Sequence, residues 1–266
     1  MSRLSESFAS RAKTRRDGFI PFLVAGDPDL ETTAELLPAL SELEPIAIEL
    51  GVPFSDPTAD GPVIQRAAQR SLEKGTSLAA ILALLKRFSL NDLAPIVLFS
   101  YYNPILQFGL SAFVRAAAAC GVAGVLVVDL PAEAAAPLHE QLRRRKIDLI
   151  FLVTPTTTDK RLKQIVRLAS GFVYVVARTG VTGTARGLKD ESQNLVARIR
   201  TVTDLPVAVG FGITTGAQAQ RVCRYADAAV VGSRLVAEIE AAASAGKTKG
   251  RAGLIRVAVR CARQFA

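Results

Sequence analysis

The chain has 266 residues, half of them apolar, with three cysteines, one histidine and a formal charge of +9. Its length admits one large α/β domain or two small ones; no apolar run approaches the roughly 18 residues of a membrane span, and three scattered cysteines (Cys120, Cys223, Cys261) give neither a disulfide framework nor a metal cluster. The positive charge comes in short bursts (Arg15-Arg16, Arg143-Arg-Arg-Lys146, Lys247-Thr-Lys-Gly-Arg251) without interleaved aromatics, which argues against nucleic acid as a partner and leaves solvated faces with a general attraction for anions.

Met1-Ser-Arg-Leu-Ser-Glu-Ser-Phe opens the chain as a short amphipathic helix without the apolar core of a signal peptide, so a soluble, cytoplasmic protein is expected. Beyond it, short runs rich in Val, Ile, Leu and Phe alternate with longer amphipathic stretches. The predicted strands are 19–25, 46–50, 96–100, 125–128, 149–153, 172–176, 207–209 and 228–231. Helical patterns follow them, as at 30–43, 159–169 and 217–225, and a last one covers 251–265. Near-continuous apolar strands indicate a parallel sheet covered by helices, and eight βα units in a row favour closure. The fold expected is a single α/β domain over residues 1–266, a (β/α)8 TIM barrel with extra N-terminal and C-terminal helices.

In such a barrel the chemistry belongs to the loops after the strands. Polar and glycine-rich oddities do follow strands here: Gly26-Asp-Pro after the first, 51–62 after the second and Tyr101-Tyr-Asn-Pro after the third. Asp129-Leu-Pro, Pro155-Thr-Thr-Thr158, Gly180-Val-Thr-Gly183, Gly210-Phe-Gly212 and Gly232-Ser233 follow the rest. The one histidine, His139, falls on a helical, partly polar stretch and is expected at the surface. Acid–base work would therefore fall to carboxylates, Tyr or Lys, and a Ser-His-Asp triad or a histidine-held zinc is excluded.

The second strand reads Pro45-Ile-Ala-Ile-Glu-Leu50. Alternation puts Ile46, Ile48 and Leu50 on one side, under the helices, and Ala47 with Glu49 inside the barrel near its mouth. A carboxyl there needs a hydrogen bond or a raised pKa, and a raised pKa suits proton transfer at neutral pH. Read alone, Glu49 is a proton carrier, a cap on a backbone amide or half of an ion pair. Asp60 lies in a loop rich in Gly and Pro, where Asp is a functional group or a turn former, and Asp56 reads as a turn former. A strand-borne carboxyl with a second on a loop able to close over it is the stronger reading. At the other end, Gly210 and Gly212 let backbone approach a ligand. Gly232-Ser233 precedes a helix and can present N–H groups to an anion. The segment 178–188 is suited to a lid, with Thr182 able to bond a carboxylate. Together these loops point to a phosphorylated substrate.

The segment from Glu49 to Gln65, Glu-Leu-Gly-Val-Pro-Phe-Ser-Asp-Pro-Thr-Ala-Asp-Gly-Pro-Val-Ile-Gln, resembles the signature of tryptophan synthase α subunits. The likeness continues in order through Phe19-Ile-Pro-Phe-Leu-Val-Ala-Gly-Asp-Pro28, Tyr101-Tyr-Asn-Pro-Ile-Leu-Gln-Phe-Gly109, Pro155–Thr158, Tyr174 with Gly180-Val-Thr-Gly183, Gly210-Phe-Gly-Ile213 and Val231-Gly-Ser233. It implies retro-aldol cleavage of indole-3-glycerol phosphate to indole and glyceraldehyde 3-phosphate. On that resemblance Glu49 is the acid–base residue and Asp60 holds the indole N–H. Phe22, Phe99 and Leu126 line the indole pocket, Gly183, Gly212, Gly232 and Ser233 bind phosphate, and Tyr174 and Thr182 support the carboxylates. It further implies no cofactor in this chain, and a β subunit carrying pyridoxal phosphate in an α2β2 heterotetramer. The loop 53–60 and the Thr182 loop would face that partner.

Four positions depart from the family pattern: Thr58 stands for a common Leu, Val128 for Pro, Ala177 for Ser, and Arg234 for a small residue, its side chain expected in solvent. Rival readings are a stand-alone lyase releasing free indole, another phosphate-handling barrel such as a sugar-phosphate isomerase or epimerase, and a non-catalytic scaffold that activates a partner.

Overall fold

Eight of the apolar runs form parallel strands in the computed structural model: β1 (Phe19–Val24), β2 (Ile48–Gly51), β3 (Ile96–Ser100), β4 (Gly124–Val127), β5 (Asp148–Val153), β6 (Val173–Val176), β7 (Val207–Gly210) and β8 (Ala228–Val231). They pair in chain order and β8 closes on β1, giving a closed eight-stranded parallel barrel. The structure describes every residue except 15–16, 90–91, 177–184, 211 and 245–249, and only the backbone of 185–190.

Helices wrap the barrel: α1 (Arg3–Thr14), α2 (Leu30–Ser41), α3 (Pro62–Glu73), α4 (Leu78–Leu85), α5 (Tyr102–Phe108), α6 (Leu110–Ala119), α7 (Ala136–Arg144), α8 (Asp159–Leu168), α9 (Ala185–Arg200), α10 (Gly216–Cys223), α11 (Ser233–Ser244) and α12 (Gly250–Ala262). Their starts are written locally. Asp29 caps α2 by accepting from the Thr32 N–H, Thr158 caps α8 through Arg161, and Thr215 with Gln218 forms a capping box on α10. The expected N- and C-terminal additions are α1 and α12. The structure adds α4 and α5. Gly75 (φ +77°) ends α3 before α4, and Gly109 (φ +88°) separates α5 from α6. These breaks need glycine, and a pattern search that looks for one amphipathic face merges what they divide. No described helix is long and apolar enough to cross a membrane.

Strand alternation divides the core in two. Leu23, Ile48, Leu50, Leu98 and Val125 face the helices, while Ile20, Ala47, Val97, Leu126, Ile150, Tyr174, Ala208 and Val230 fill the barrel. Leu4 and Phe8 of α1 join the inner group and plug the floor, with the Phe8 and Phe172 rings 5.6 Å apart. Gly124 and Gly171 leave that plug room, since a Cβ on either would lie 2.9 Å from Leu4 Cδ1. Ile46 is a correction. It belongs to the inner group, not under the helices with Ile48 and Leu50, because β2 begins only at Ile48 and strand parity does not extend before the pleat. Its carbonyl accepts from the Ser7 hydroxyl of α1 at 2.7 Å, which ties it to the floor.

Candidate active site

Strand β2 carries Glu49 between Phe22 of β1 and Val97 of β3, its register partners, and parity turns the side chain into the barrel. There it is 0% exposed, and among the described residues neither carboxyl oxygen has a hydrogen-bond partner. Removal from water disfavours the charged form and pushes its pKa up to about 8. The nearby Glu49 adds to burial in holding the Tyr174 hydroxyl well above its ordinary pKa. Tyr174 fits only because β7 offers Gly210: a Cβ there would lie 2.1 Å from Tyr174 Oη. This revises the reading of Gly210, which makes room for a tyrosine hydroxyl rather than for a ligand.

Asp60 sits half-buried in the loop between β2 and α3, and burial raises its pKa to about 6. The Tyr101 hydroxyl donates to Asp60 Oδ2 at 3.2 Å and partly opposes that rise. The same oxygen of Tyr101 accepts from the Ala59 N–H at 2.9 Å, and the Tyr101 ring packs against Phe54 at 5.0 Å. Gln65 donates to the Asp60 carbonyl at 2.8 Å. The loop is thus pinned on both sides of Asp60, while Thr58 stands exposed near its tip. Tyr101 was seen in the sequence only as part of a loop; its position at the end of β3, facing the second loop, is the signal that marks it.

A cavity of about 830 Å³ opens at this end of the barrel, lined by Phe22, Asp60, Phe99, Tyr174, Gly212, Gly232 and Ser233 among others. Phe22 and Phe99 meet edge to face at 5.3 Å and make an apolar slot. Across it, Gly212 takes φ +69°, and Gly232 and Ser233 open α11. The first N–H groups of that helix have no carbonyl of their own turn to meet, so they present an anion site. A Cβ on Gly232 would touch Phe22 at 3.4 Å, which shows how closely the anion end abuts the aromatic slot. Arg234 turns away to pair with Glu238 at 2.6 Å.

Leu126 does not line the cavity. It is fully buried in the inner core, and Val128, two residues further along the same inward side, reaches the cavity instead. The pocket role of Leu126 is what the family resemblance implies; its side chain faces inward but lies too deep to reach the lining. Glu49 is not part of the lining either; it pairs in register with Phe22 and lies near Tyr174, both of which are. Thr182, Gly183, Gly180 and Ala177 fall outside the described residues. Sequence reasoning assigned no role to a polar wall of Thr154, Thr156, Thr157, Thr158 and Arg161, or to Asp129, which accepts from the Tyr102 N–H at 2.7 Å. His139, half-buried on α7, is not part of the cavity.

The sequence model of the tryptophan synthase alpha chain family matches residues 8–262. A tryptophan synthase alpha chain of Acidiphilium cryptum is 49% identical over 242 residues, 91% of this chain and 88% of that protein. One of Burkholderia pseudomallei is 47% identical over 263 residues, 97% of each. Among solved structures, tryptophan synthase subunit alpha of Legionella pneumophila superposes with a TM-score of 0.90 at 32% identity, covering 100% of this chain and 97% of that one. A chain of tryptophan synthase from M. tuberculosis, in an aminoacrylate-bound form, gives 0.86 at 33%, covering 100% of both. The readings as a stand-alone lyase, an isomerase or a scaffold find no support among these relatives. With a family match over nearly all its length and relatives of near-half identity, the chain belongs to the tryptophan synthase alpha chain family and is an enzyme of the lyase class.

Proposed function

We propose that Glu49 and Asp60 divide the proton and charge handling in a retro-aldol cleavage of indole-3-glycerol phosphate, giving indole and glyceraldehyde 3-phosphate. The observation that carries this is a pair of carboxyl groups, Asp60 on the wall of a cavity with an aromatic slot and a helix N-terminus, and Glu49 sealed outside that wall with no hydrogen-bond partner among the described residues. The indole ring enters between Phe22 and Phe99, and its phosphate meets Gly212, Gly232 and Ser233. Asp60, ionised above about pH 6, accepts the ring N–H and offsets the positive charge that develops when C3 is protonated. Glu49 holds its proton up to about pH 8, so it starts as the acid. No hydrogen bond from the described residues fixes its carboxyl, which turns past Phe22 and Tyr174 toward the substrate. It delivers a proton to C3, then as carboxylate takes the proton of the hydroxyl next to the ring. The C–C bond breaks, that carbon leaves as the aldehyde, and Glu49 is again protonated. On the family resemblance Thr182 is assigned to support of the carboxylates and Gly183 to phosphate.

The chain is proposed to need no cofactor of its own and to work in the cytoplasm. Its partner is a β subunit that binds pyridoxal phosphate and joins indole to serine, in an α2β2 assembly, with the 53–60 loop against the partner. Family membership supports this, and co-purification with mass measurement tests it. For the chemistry, the purified chain is assayed for indole release. Glu49→Gln is expected to abolish cleavage while substrate still binds, and Asp60→Asn to cost at least about tenfold in rate. Ordinary turnover by Glu49→Gln would remove Glu49 from the acid–base role.

A further inference from the structure

On the β1 side of the cavity four charged side chains form one connected group that the chemistry above does not use. Asp27, in the loop after β1, is 4% exposed. Its two carboxylate oxygens accept from Nε and Nη2 of Arg70, at 2.9 Å each. The remaining Nη1 of Arg70 donates to Glu240 Oε1 at 2.7 Å. Arg66 holds the same Glu240 with Nε and Nη2, both at 2.8 Å. Two guanidinium groups thus meet two carboxylates in two-pronged geometry, which fixes relative position as well as charge.

What the group joins is the informative part. Arg66 and Arg70 ride α3, whose first residue, Pro62, follows Asp60-Gly61. Glu240 rides α11, whose first residue, Ser233, lies at the anion end of the cavity. Asp27 continues the strand that carries Phe22, the wall between the two ends. A helix is stiff over such lengths, and Ser233 to Glu240 spans only about 10 Å along the axis. A small movement at the start of α11 is therefore passed to Arg70 and along α3 to the Asp60 loop.

We propose that Arg70 is a positioning residue that couples the two ends of the cavity: by holding Asp27 and Glu240 together, it makes phosphate binding at α11 favour the setting of Asp60 that holds the indole ring. This rests on the function proposed above. Linkage requires the effect to run both ways, so the ring must tighten phosphate by the same factor.

The test measures the affinity of the purified chain for indole with and without saturating glycerol 3-phosphate, and the converse titration. The wild-type chain should show equal mutual tightening, on the order of tenfold, within the usual range of coupling between sites. Arg70→Gln should bring that factor below about twofold while each ligand alone binds within about threefold of wild type. In cleavage the same variant should lose kcat with little change in KM. Arg70→Lys, which keeps the charge but not the fork, should behave like Arg70→Gln. Glu240→Gln, which takes away one partner of Arg70 and leaves its pair with Asp27 in place, repeats the test if Arg70 variants fail to fold. Retained coupling in these variants, or equal loss of both single-ligand affinities in a folded variant, would overturn the proposal. A wild-type chain that cleaves substrate without mutual tightening would overturn it too, whereas a wild-type chain that does not cleave at all strikes the proposed function itself.

Discussion

A carboxyl group sealed inside a barrel either finds a partner or gives up its charge, and Glu49 has no hydrogen-bond partner among the described residues. Its ordinary pKa of 4.5 rises to about 8 in the fold. Between those values the folded chain keeps a proton that the unfolded chain releases, so stability is fully present below 4.5 and is lost as pH rises toward 8. At pH 7 the loss is about 3 kcal/mol, from 1.36 kcal/mol per pKa unit. Glu49→Gln, nearly isosteric and uncharged, should therefore have the higher urea midpoint at pH 8, with the gap closing toward pH 5. A gap that does not change with pH would mean that burial does not hold Glu49 neutral. The same values shape catalysis: kcat/KM should rise as Asp60 ionises near 6 and fall as Glu49 loses its proton near 8. Tyr101→Phe removes the hydroxyl that favours the Asp60 carboxylate, so the acid limb should move to higher pH while the alkaline limb stays. An unmoved acid limb would show that Asp60 does not set it. Glu49's direction was legible in the sequence because strand parity is strict. Its lack of a partner among the described residues was not, since that depends on every side chain around it, and Tyr101's grip on Asp60 depends on how the loops after β2 and β3 fold together.

Strands β6 and β7 show how neighbouring elements share one space. Tyr174 projects over Gly210, where an added Cβ would meet its hydroxyl at 2.1 Å and its ring carbons at 2.6 and 2.8 Å. Gly210→Ala is expected to cost about 1–3 kcal/mol by overpacking. It should also depress cleavage, because Tyr174 lines the cavity and sits beside Glu49. Tyr174→Phe added to Gly210→Ala removes the closest clash but not the ring contacts, so stability should recover in part. A double variant no more stable than Gly210→Ala would place the cost elsewhere. At this scale the sequence was legible where a pattern repeats. The eight strands came within two residues of their ends because apolar runs bounded by turn residues leave little choice. Ile46 and Leu126 show where the pattern stops: parity before a strand begins has no pleat to enforce it, and parity within a strand gives a side but not a depth. Arg70 was not legible as a brace, since its partners lie 43 and 170 positions away in the chain.

The barrel as a whole separates two tasks by its ends. The mouth holds the cavity with Asp60, Gly232 and Ser233 on its wall, and the floor holds a plug. Leu4 is 0% exposed, sits in the space that Gly124 and Gly171 leave open, and packs with Phe8 and Phe172 in the inner core. No residue of α1 lines the cavity. Conservative cutting at the floor should therefore move stability and leave chemistry alone, as the division of labour in such barrels implies. Leu4→Ala removes a buried side chain from a site walled by strands that cannot collapse easily, so the loss should fall within about 2–5 kcal/mol. Equilibrium unfolding in urea measures it, with an unchanged slope if only the folded state is affected. At a temperature where the variant is still fully folded, its kcat and KM should match the wild-type values. A fall in kcat at that temperature would mean that the inner column of side chains, from Leu4 through Ala47 and Val97 to Glu49, passes strain from floor to mouth, and the two ends would then have to be treated as one.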